Sequence, residues 1–402
     1  MDFFEEFRQK QLPILLETAQ NADASMVDRS LDRTSPTLHD FACLISERAS
    51  DRMEELGKLS HQITLRRFGK VIRMFAPLYL SNECINNCSY CSFSRDNSIL
   101  RVTLTQKEIE REAESLKKQG FRNILIVAGE HPKFISQDYL QECVRTSCKF
   151  FPAVSLEVGP MDTEAYRNMV TAGAEGLVVY QETYDRDIYS KMHTSGPKKD
   201  FDFRLGTPER AYNAGFRRLG IGVLFGLSDW RYEALCLAAH VKWLLKKCWK
   251  SHITISFPRL RPNAGEFEPL TLLNDRDFVQ MTCAFRILFP DVGIVLSTRE
   301  PVSLRNGLMP LGITMMSAGS HTEPGGYTGA GKNHLHQTKN GRIVEEIEGT
   351  APPGHEENER TQAGEQFAIA DLRSPTEVAN AVRRFGYEPV WKDWDAGFLT
   401  TR

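Results

Sequence analysis

Apolar positions fall along the chain in two rhythms. Over residues 1–70 they recur near helical spacing: Phe3, Phe4, Phe7, Leu12, Leu15 and Leu16, then Phe41, Leu44, Ile45, Met53, Leu56, Leu59 and Ile63. That period puts them on one face of successive helices. From Val71 onward, short apolar runs alternate with longer amphipathic stretches. The runs are Val71–Leu80, Asn123–Ala128, Val154–Val158, Gly176–Tyr180, Leu219–Phe225, Ile253–Phe257, Gly293–Ser297 and Leu311–Ser317. Apolar character that is continuous rather than alternating marks strands buried on both faces. Between the runs, a capping box at Thr105-Gln-Lys-Glu108 predicts a helix that ends at Gly120. Further helices are expected over Asp138–Phe150, Thr163–Gly173, the polar stretch up to Gly215, Arg231–Lys247, Asp275–Phe289 and Pro301–Asn306. Strands separated by helical material predict an α/β fold, a parallel sheet closed into a (β/α)8 barrel of the TIM type.

The rhythm breaks over Gly319–Glu365, which is rich in Gly, His, Pro, Glu and Asn. A loop this long inside an ordered domain is usually functional or disordered. The expectation is a partly mobile lid over the barrel mouth, with a plain disordered insertion as the alternative. Order should return at Gln366–Arg373, followed by a helix over Pro375–Phe385 and a tail docked on the body by Trp391 and Trp394. The expected division is a helical extension over 1–70, a barrel over 71–318, the loop over 319–365, and a C-terminal helix and tail over 366–402.

Composition narrows the function classes. The formal net charge of −2 gives no support for nucleic-acid binding. Charged residues at 25% and hydrophobic residues at 41% are ordinary for a soluble globular chain. No apolar run is long enough to span a membrane, and the start of the chain has neither the basic region nor the apolar core of a signal peptide. A cytoplasmic location is therefore expected. In that reducing setting the nine cysteines serve metal binding or catalysis rather than disulfides.

Three of those cysteines stand together in Cys84-Ile-Asn-Asn-Cys88-Ser-Tyr-Cys91, directly after the first predicted strand. Thiolates suit zinc, copper(I) and iron–sulfur clusters. A closed zinc site wants a fourth ligand, yet the first downstream histidine is His131. A [4Fe–4S] cluster normally takes four cysteines, so three leave one iron open to an outside ligand. A zinc knuckle and three merely buried thiols are the plainer alternatives. The remaining cysteines, Cys43, Cys143, Cys148, Cys236, Cys248 and Cys283, lie in predicted helices and read as small buried residues.

Active sites of (β/α) barrels lie at the C-terminal ends of the strands. There the chain offers Gly129-Glu130-His131, then Glu182 with Arg204 beyond it, then Ser297-Thr-Arg299, and finally Ser317. Tyr79 is near the end of the first strand, and Arg259 and Arg261 follow the sixth. Carboxylates accept from ammonium groups, and a guanidinium holds a carboxylate through two parallel bonds. The set therefore suits zwitterionic ligands.

The C-x3-C-x-aromatic-C pattern, with Tyr90 as the aromatic, resembles the radical S-adenosylmethionine (SAM) superfamily. A longer series resembles the 2-iminoacetate synthases, tyrosine lyases of thiamine thiazole biosynthesis. It comprises Pro77–Asn82, Gly129–His131, Val179–Tyr184, Gly222–Leu227, Ser256–Pro262, Ser297–Glu300 and Pro389–Asp395. The resemblance implies one [4Fe–4S] cluster held by Cys84, Cys88 and Cys91, with SAM on the fourth iron. It also implies that Tyr90, Gly129, Glu130, Glu182 and Arg204 serve SAM, while Tyr79, Arg299 and Ser317 serve the aromatic amino acid. Ala128 stands where the superfamily motif has a glycine.

The implied reaction is hydrogen abstraction from the amino group of L-tyrosine by a 5′-deoxyadenosyl radical. Cleavage of Cα–Cβ then gives 2-iminoacetate and 4-methylphenol, with 5′-deoxyadenosine and methionine. The implied partners are thiazole synthase and a flavodoxin or ferredoxin-type reductant. A tryptophan lyase that forms an indolic acid shares the Arg and Ser positions and is the alternative. A hydrogenase-maturation tyrosine lyase needs a second, C-terminal cluster, and no cysteine follows Cys283. A non-catalytic iron–sulfur scaffold would keep the cysteines but has no reason to place Glu130, Arg204 and Arg299 at strand ends.

Overall fold

In the computed structural model, which describes residues 3–339, 342–346 and 362–391, the predicted strands form a closed parallel barrel. They are β1 (Val71–Ser81), β2 (Asn123–Ala128), β3 (Ala153–Glu157), β4 (Gly176–Glu182), β5 (Arg218–Val223), β6 (His252–Ser256), β7 (Gly293–Leu296) and β8 (Met315–Ser317). Each pairs with its neighbours in chain order, and β8 closes on β1 with Arg73 opposite Met315 and Phe75 opposite Ser317. β8 is shorter than its apolar run because Met309–Leu311 winds into a 3-10 turn and Gly312 adopts φ 121°, a conformation open mainly to glycine.

Several short strands outside the eight runs were not expected. His193–Ser195 lies in the polar stretch read as helical and pairs antiparallel with Asn87–Cys88 of the cysteine loop. Glu388–Val390 pairs parallel with Val71–Arg73 at the start of β1, on the edge that β2 takes over from Ala76. The N-terminal helices lie outside the barrel, with Met53–Phe68 along Asp275–Leu288. Phe41, Phe285 and Phe257 make a continuous aromatic column there, with ring centres 4.8 and 5.5 Å apart. Burying each such ring contributes about 1.5–3 kcal/mol.

The segment after β8 packs back on the barrel. Two carboxylates of helix Gln106–Lys118 hold it: Gly331 donates its N–H to Glu108 (3.0 Å) and Tyr327 donates its N–H to Glu112 (3.1 Å). His336–Lys339 and Arg342–Glu346 then add a hairpin to Leu100–Arg101. Of the expected lid, residues 340, 341 and 347–361 lie outside the described residues, as does Trp394. Trp391 packs edge-on against Phe121 at 5.1 Å.

Where a barrel interior is usually filled by branched side chains, this one keeps a cavity of about 280 Å³. It lies toward the strand starts, beside Arg73, Asn123, Gly176, Arg218 and His252. The cysteine loop is at the opposite end.

Candidate active site at the cysteine end of the barrel

The cysteine loop is built rigidly. Arg101 is 1% exposed and donates to the carbonyls of Asn82, Phe93 (3.1 Å) and Ser94 (2.7 Å), so one guanidinium staples the loop's two ends. Gly129 is required by close approach: a Cβ there would lie 2.9 Å from the Glu83 carbonyl carbon and 3.3 Å from Cys84 Cβ. On the other flank Gly196 adopts φ 87°, and a Cβ would lie 2.8 Å from Asn86 Cα. Asn86 ties the pieces together. Its amide donates to Glu130 Oε2 at 2.6 Å and lies 3.7 Å from Cys84 Sγ, while its Oδ1 accepts from the Lys198 N–H at 2.9 Å.

Cys88 is buried, and Cys84 and Cys91 are partly so. Burial pushes the Cys88 and Cys91 thiols up, while Lys198 pulls against it. Binding to a metal deprotonates such thiols outright. The Gln366 amide lies 3.9 Å from Cys91 Sγ, so both Asn86 and Gln366 aim N–H donors at sulfur. Among the described residues no three His, Cys, Asp or Glu side chains gather as a single metal ion requires. The donor chemistry of the loop fits an iron–sulfur cluster. Of the other six cysteines, Cys148 is exposed rather than buried; the other five are buried as expected.

On one side of the loop, charge is concentrated around Glu182. This residue ends β4 with φ 71°, a strained conformation for a side chain of its size. Its Oε1 accepts from Lys198 Nζ at 2.7 Å and from Arg204 at 3.3 Å, and Arg204 Nε also donates to the Tyr180 carbonyl at 2.6 Å. Burial alone would raise the carboxyl, but the two cations outweigh it and hold it below its usual range. Tyr90 bonds to His193 Nε2 at 2.7 Å, and Nδ1 faces the Tyr189 carbonyl at 2.8 Å. Burial pushes His193 down to about 3. The imidazole is therefore neutral, with its proton on Nδ1 and Nε2 accepting from the tyrosine. The residues predicted for SAM thus share one side, joined by three the sequence reading missed: Asn86, His193 and Lys198.

The residues predicted for the amino acid lie around the mouth. Tyr79 is buried edge-on against Phe93 and donates its O–H to Gln366 Oε1 at 2.7 Å. Arg299 lays its guanidinium over the Phe367 ring, 3.4 Å from the ring centre. Ser317 Oγ accepts from the Thr298 N–H at 3.1 Å, which leaves its own proton to donate. The Ser317 carbonyl is held by buried Arg305, itself paired with Asp371. Glu157, at the end of β3, was also missed; burial pushes its carboxyl up to about 7, against the pull of Arg299. Its signal was available, as the one acid inside any of the eight apolar runs. Gln366 and Phe367 had no such signal. Arg259, read as a cation at the mouth, is committed to Glu300 and to Asp275 (2.8 Å).

Comparison with known proteins gives the family. Residues 78–238 match the Radical SAM superfamily and residues 256–388 match the Biotin and Thiamin Synthesis associated domain. The 2-iminoacetate synthase of Salmonella typhimurium is 37% identical over 98% of this chain and 97% of its own. That of Escherichia coli K12 is 38% identical over 93% and 91%. Among solved structures, HydG, a maturase of the [FeFe]-hydrogenase, superposes with a TM-score of 0.83 at 30% identity, covering 99% of this chain and 82% of that one. Methylornithine synthase, at 20% identity and a TM-score of 0.66, shares the fold. Near-complete coverage at this identity, on a barrel carrying the three-cysteine loop, makes the chain a member of the 2-iminoacetate synthase family within the radical SAM superfamily.

Proposed function

We propose that the chain is a radical SAM lyase that cleaves the Cα–Cβ bond of L-tyrosine to 2-iminoacetate and 4-methylphenol, with Cys84, Cys88 and Cys91 holding its cluster. When bound, the [4Fe–4S] cluster and SAM supply the 5′-deoxyadenosyl radical that takes hydrogen from the tyrosine amine. One observation carries the reading. An acid–cation group of Glu130, Glu182, Lys198 and Arg204 flanks the cysteine loop, and across the mouth stands a guanidinium, Arg299, with no carboxylate paired to it among the described residues.

The residues then divide by charge. The Glu130 carboxylate, bonded to the neutral Asn86 amide, would accept from the SAM ammonium. Lys198 and Arg204 share the single charge of Glu182, which leaves one positive charge over for the SAM carboxylate. Arg299 takes the tyrosine carboxylate, the Ser317 hydroxyl donates beside it, and Tyr79 lines the cavity. The imine product hydrolyses in water, so direct transfer to a thiazole synthase suits the chemistry, with a flavodoxin or ferredoxin-type protein as reductant. Among the described residues no helix is long and apolar enough to cross a membrane.

Anaerobic reconstitution should give about four irons per chain. With SAM and dithionite, 4-methylphenol should form from tyrosine and from no other aromatic amino acid. A colourless zinc protein that leaves SAM intact would overturn the reading, and an indolic product from tryptophan would move it to the related lyase.

A further inference from the structure

Phe367 lies outside the barrel, on the segment that returns to the site after the loop, and its environment is more specific than that of a packing residue. The segment crosses the mouth and is pinned on both sides. Ser92 donates its N–H to the Gln366 carbonyl (3.3 Å), and Gln366 donates to Thr322 (2.9 Å). Ala368 donates to Pro262 (3.0 Å), Ala370 donates to Thr298 (3.0 Å), and the Thr322 hydroxyl donates to the Phe367 carbonyl (3.0 Å). These bonds fix the backbone on either side of a ring whose face is covered by Arg299.

Arg299 differs from three arginines near the site that are committed to acids. Arg204 pairs with Glu182, Arg259 with Glu300 and Asp275, and Arg305 with Asp371. Among the described residues none pairs with the Arg299 guanidinium; only its backbone N–H is bonded, to Ser297 Oγ. A guanidinium has two distinct surfaces. Its face stacks on aromatic rings, and its edge carries the N–H donors that match a carboxylate through two parallel bonds. With the face occupied by Phe367, the plane is set and the edge remains for a ligand.

We propose that Phe367 is a positioning residue for the substrate carboxylate, acting through Arg299; this rests on the reading that Arg299 binds tyrosine. By fixing the plane of the guanidinium, the ring fixes the orientation in which the amino acid is bound and so where its amine points. Gln366, its neighbour, meets Tyr79 and approaches Cys91, so the same segment carries contacts to both halves of the site.

The test uses reconstituted holoenzyme carrying Phe367→Leu, Phe367→Tyr or Arg299→Lys. Tyrosine binding is measured calorimetrically with SAM present and no reductant, alongside the SAM dissociation constant, iron content, KM and kcat. Phe367→Leu should weaken tyrosine binding about tenfold and raise the ratio of 5′-deoxyadenosine to 4-methylphenol, with SAM affinity and iron content unchanged. Phe367→Tyr should restore tyrosine binding. Arg299→Lys weakening tyrosine while Phe367→Leu does not would overturn the inference and leave the role of Arg299 standing. Tyrosine binding indifferent to Arg299→Lys would overturn both. If Phe367→Leu lowers SAM affinity and iron content as much as tyrosine affinity, the ring is merely structural and the inference fails.

Discussion

The residue on which pH should act most visibly is Glu157. Its carboxyl ionises at about 7 in the folded chain against an ordinary value of 4.5, because burial disfavours the charge more than Arg299 favours it. Between those values the folded state binds more protons than the unfolded one. Stability contributed by the neutral carboxyl is therefore present at low pH and lost as pH rises through that window, by about 3 kcal/mol in all. Glu157→Gln carries no such titration. Urea unfolding under anaerobic conditions should show the variant gaining on wild type from pH 5 to pH 8, and parallel curves would show that Glu157 does not titrate there. Arg299 argues a different point. Arg299→Lys keeps the charge but loses the planar fork, so the KM for tyrosine should rise at least about tenfold while the SAM dissociation constant holds. Unchanged turnover at low tyrosine would remove Arg299 from the site.

At the scale of elements, the pairing of Asn87–Cys88 with His193–Ser195 decides how firmly the cysteine loop meets the SAM-facing segment. Gly196 makes the crossing possible: φ is 87°, and a Cβ would press on Asn86 and lie 2.9 Å from the Ile85 carbonyl oxygen. Gly196→Ala should therefore cost about 1–3 kcal/mol in backbone strain and push Asn86 off Glu130. The expected readouts are fewer irons bound after reconstitution and weaker SAM binding; full iron content with wild-type SAM affinity would refute the account. This pairing also marks the limit of what local sequence can tell. The barrel strands were legible because strands buried on both faces must be written as apolar runs, and the capping box at Thr105 announced its helix in four residues. Cys84, Glu130 and Arg299 were legible because they sit at the ends of those runs. His193–Ser195 was not, since a three-residue strand is specified by a partner about a hundred positions away rather than by its own pattern. Lys198 and Phe367 failed for the same reason: each matters through one long-range contact, with Glu182 and with Arg299.

At the scale of the whole molecule, the N-terminal helix packs behind the segment proposed to hold SAM. Phe4, on helix Phe3–Lys10, is fully buried, with its ring 5.4 Å from Tyr184 and 6.0 Å from Phe201. Tyr184 follows Glu182 by two residues, and Phe201 opens the short helix that carries Arg204. Arg186 completes the joint, stacked 4.1 Å over Phe201 and 3.8 Å from Glu5. The N-terminal helix is thus a buttress behind the segment proposed to hold SAM. Phe4→Ala should cost about 3–5 kcal/mol at that joint. The barrel's own hydrogen-bond ladder does not pass through Phe4, so the loss should fall first on local opening of residues 183–205. Hydrogen exchange should quicken across that stretch while β1 and β2 keep their protection. SAM should bind about tenfold more weakly, with tyrosine affinity changing less because Arg299 and Ser317 stand across the mouth. If exchange in 183–205 stays at the wild-type rate while global stability falls, the helix is ordinary packing and its link to the site is wrong.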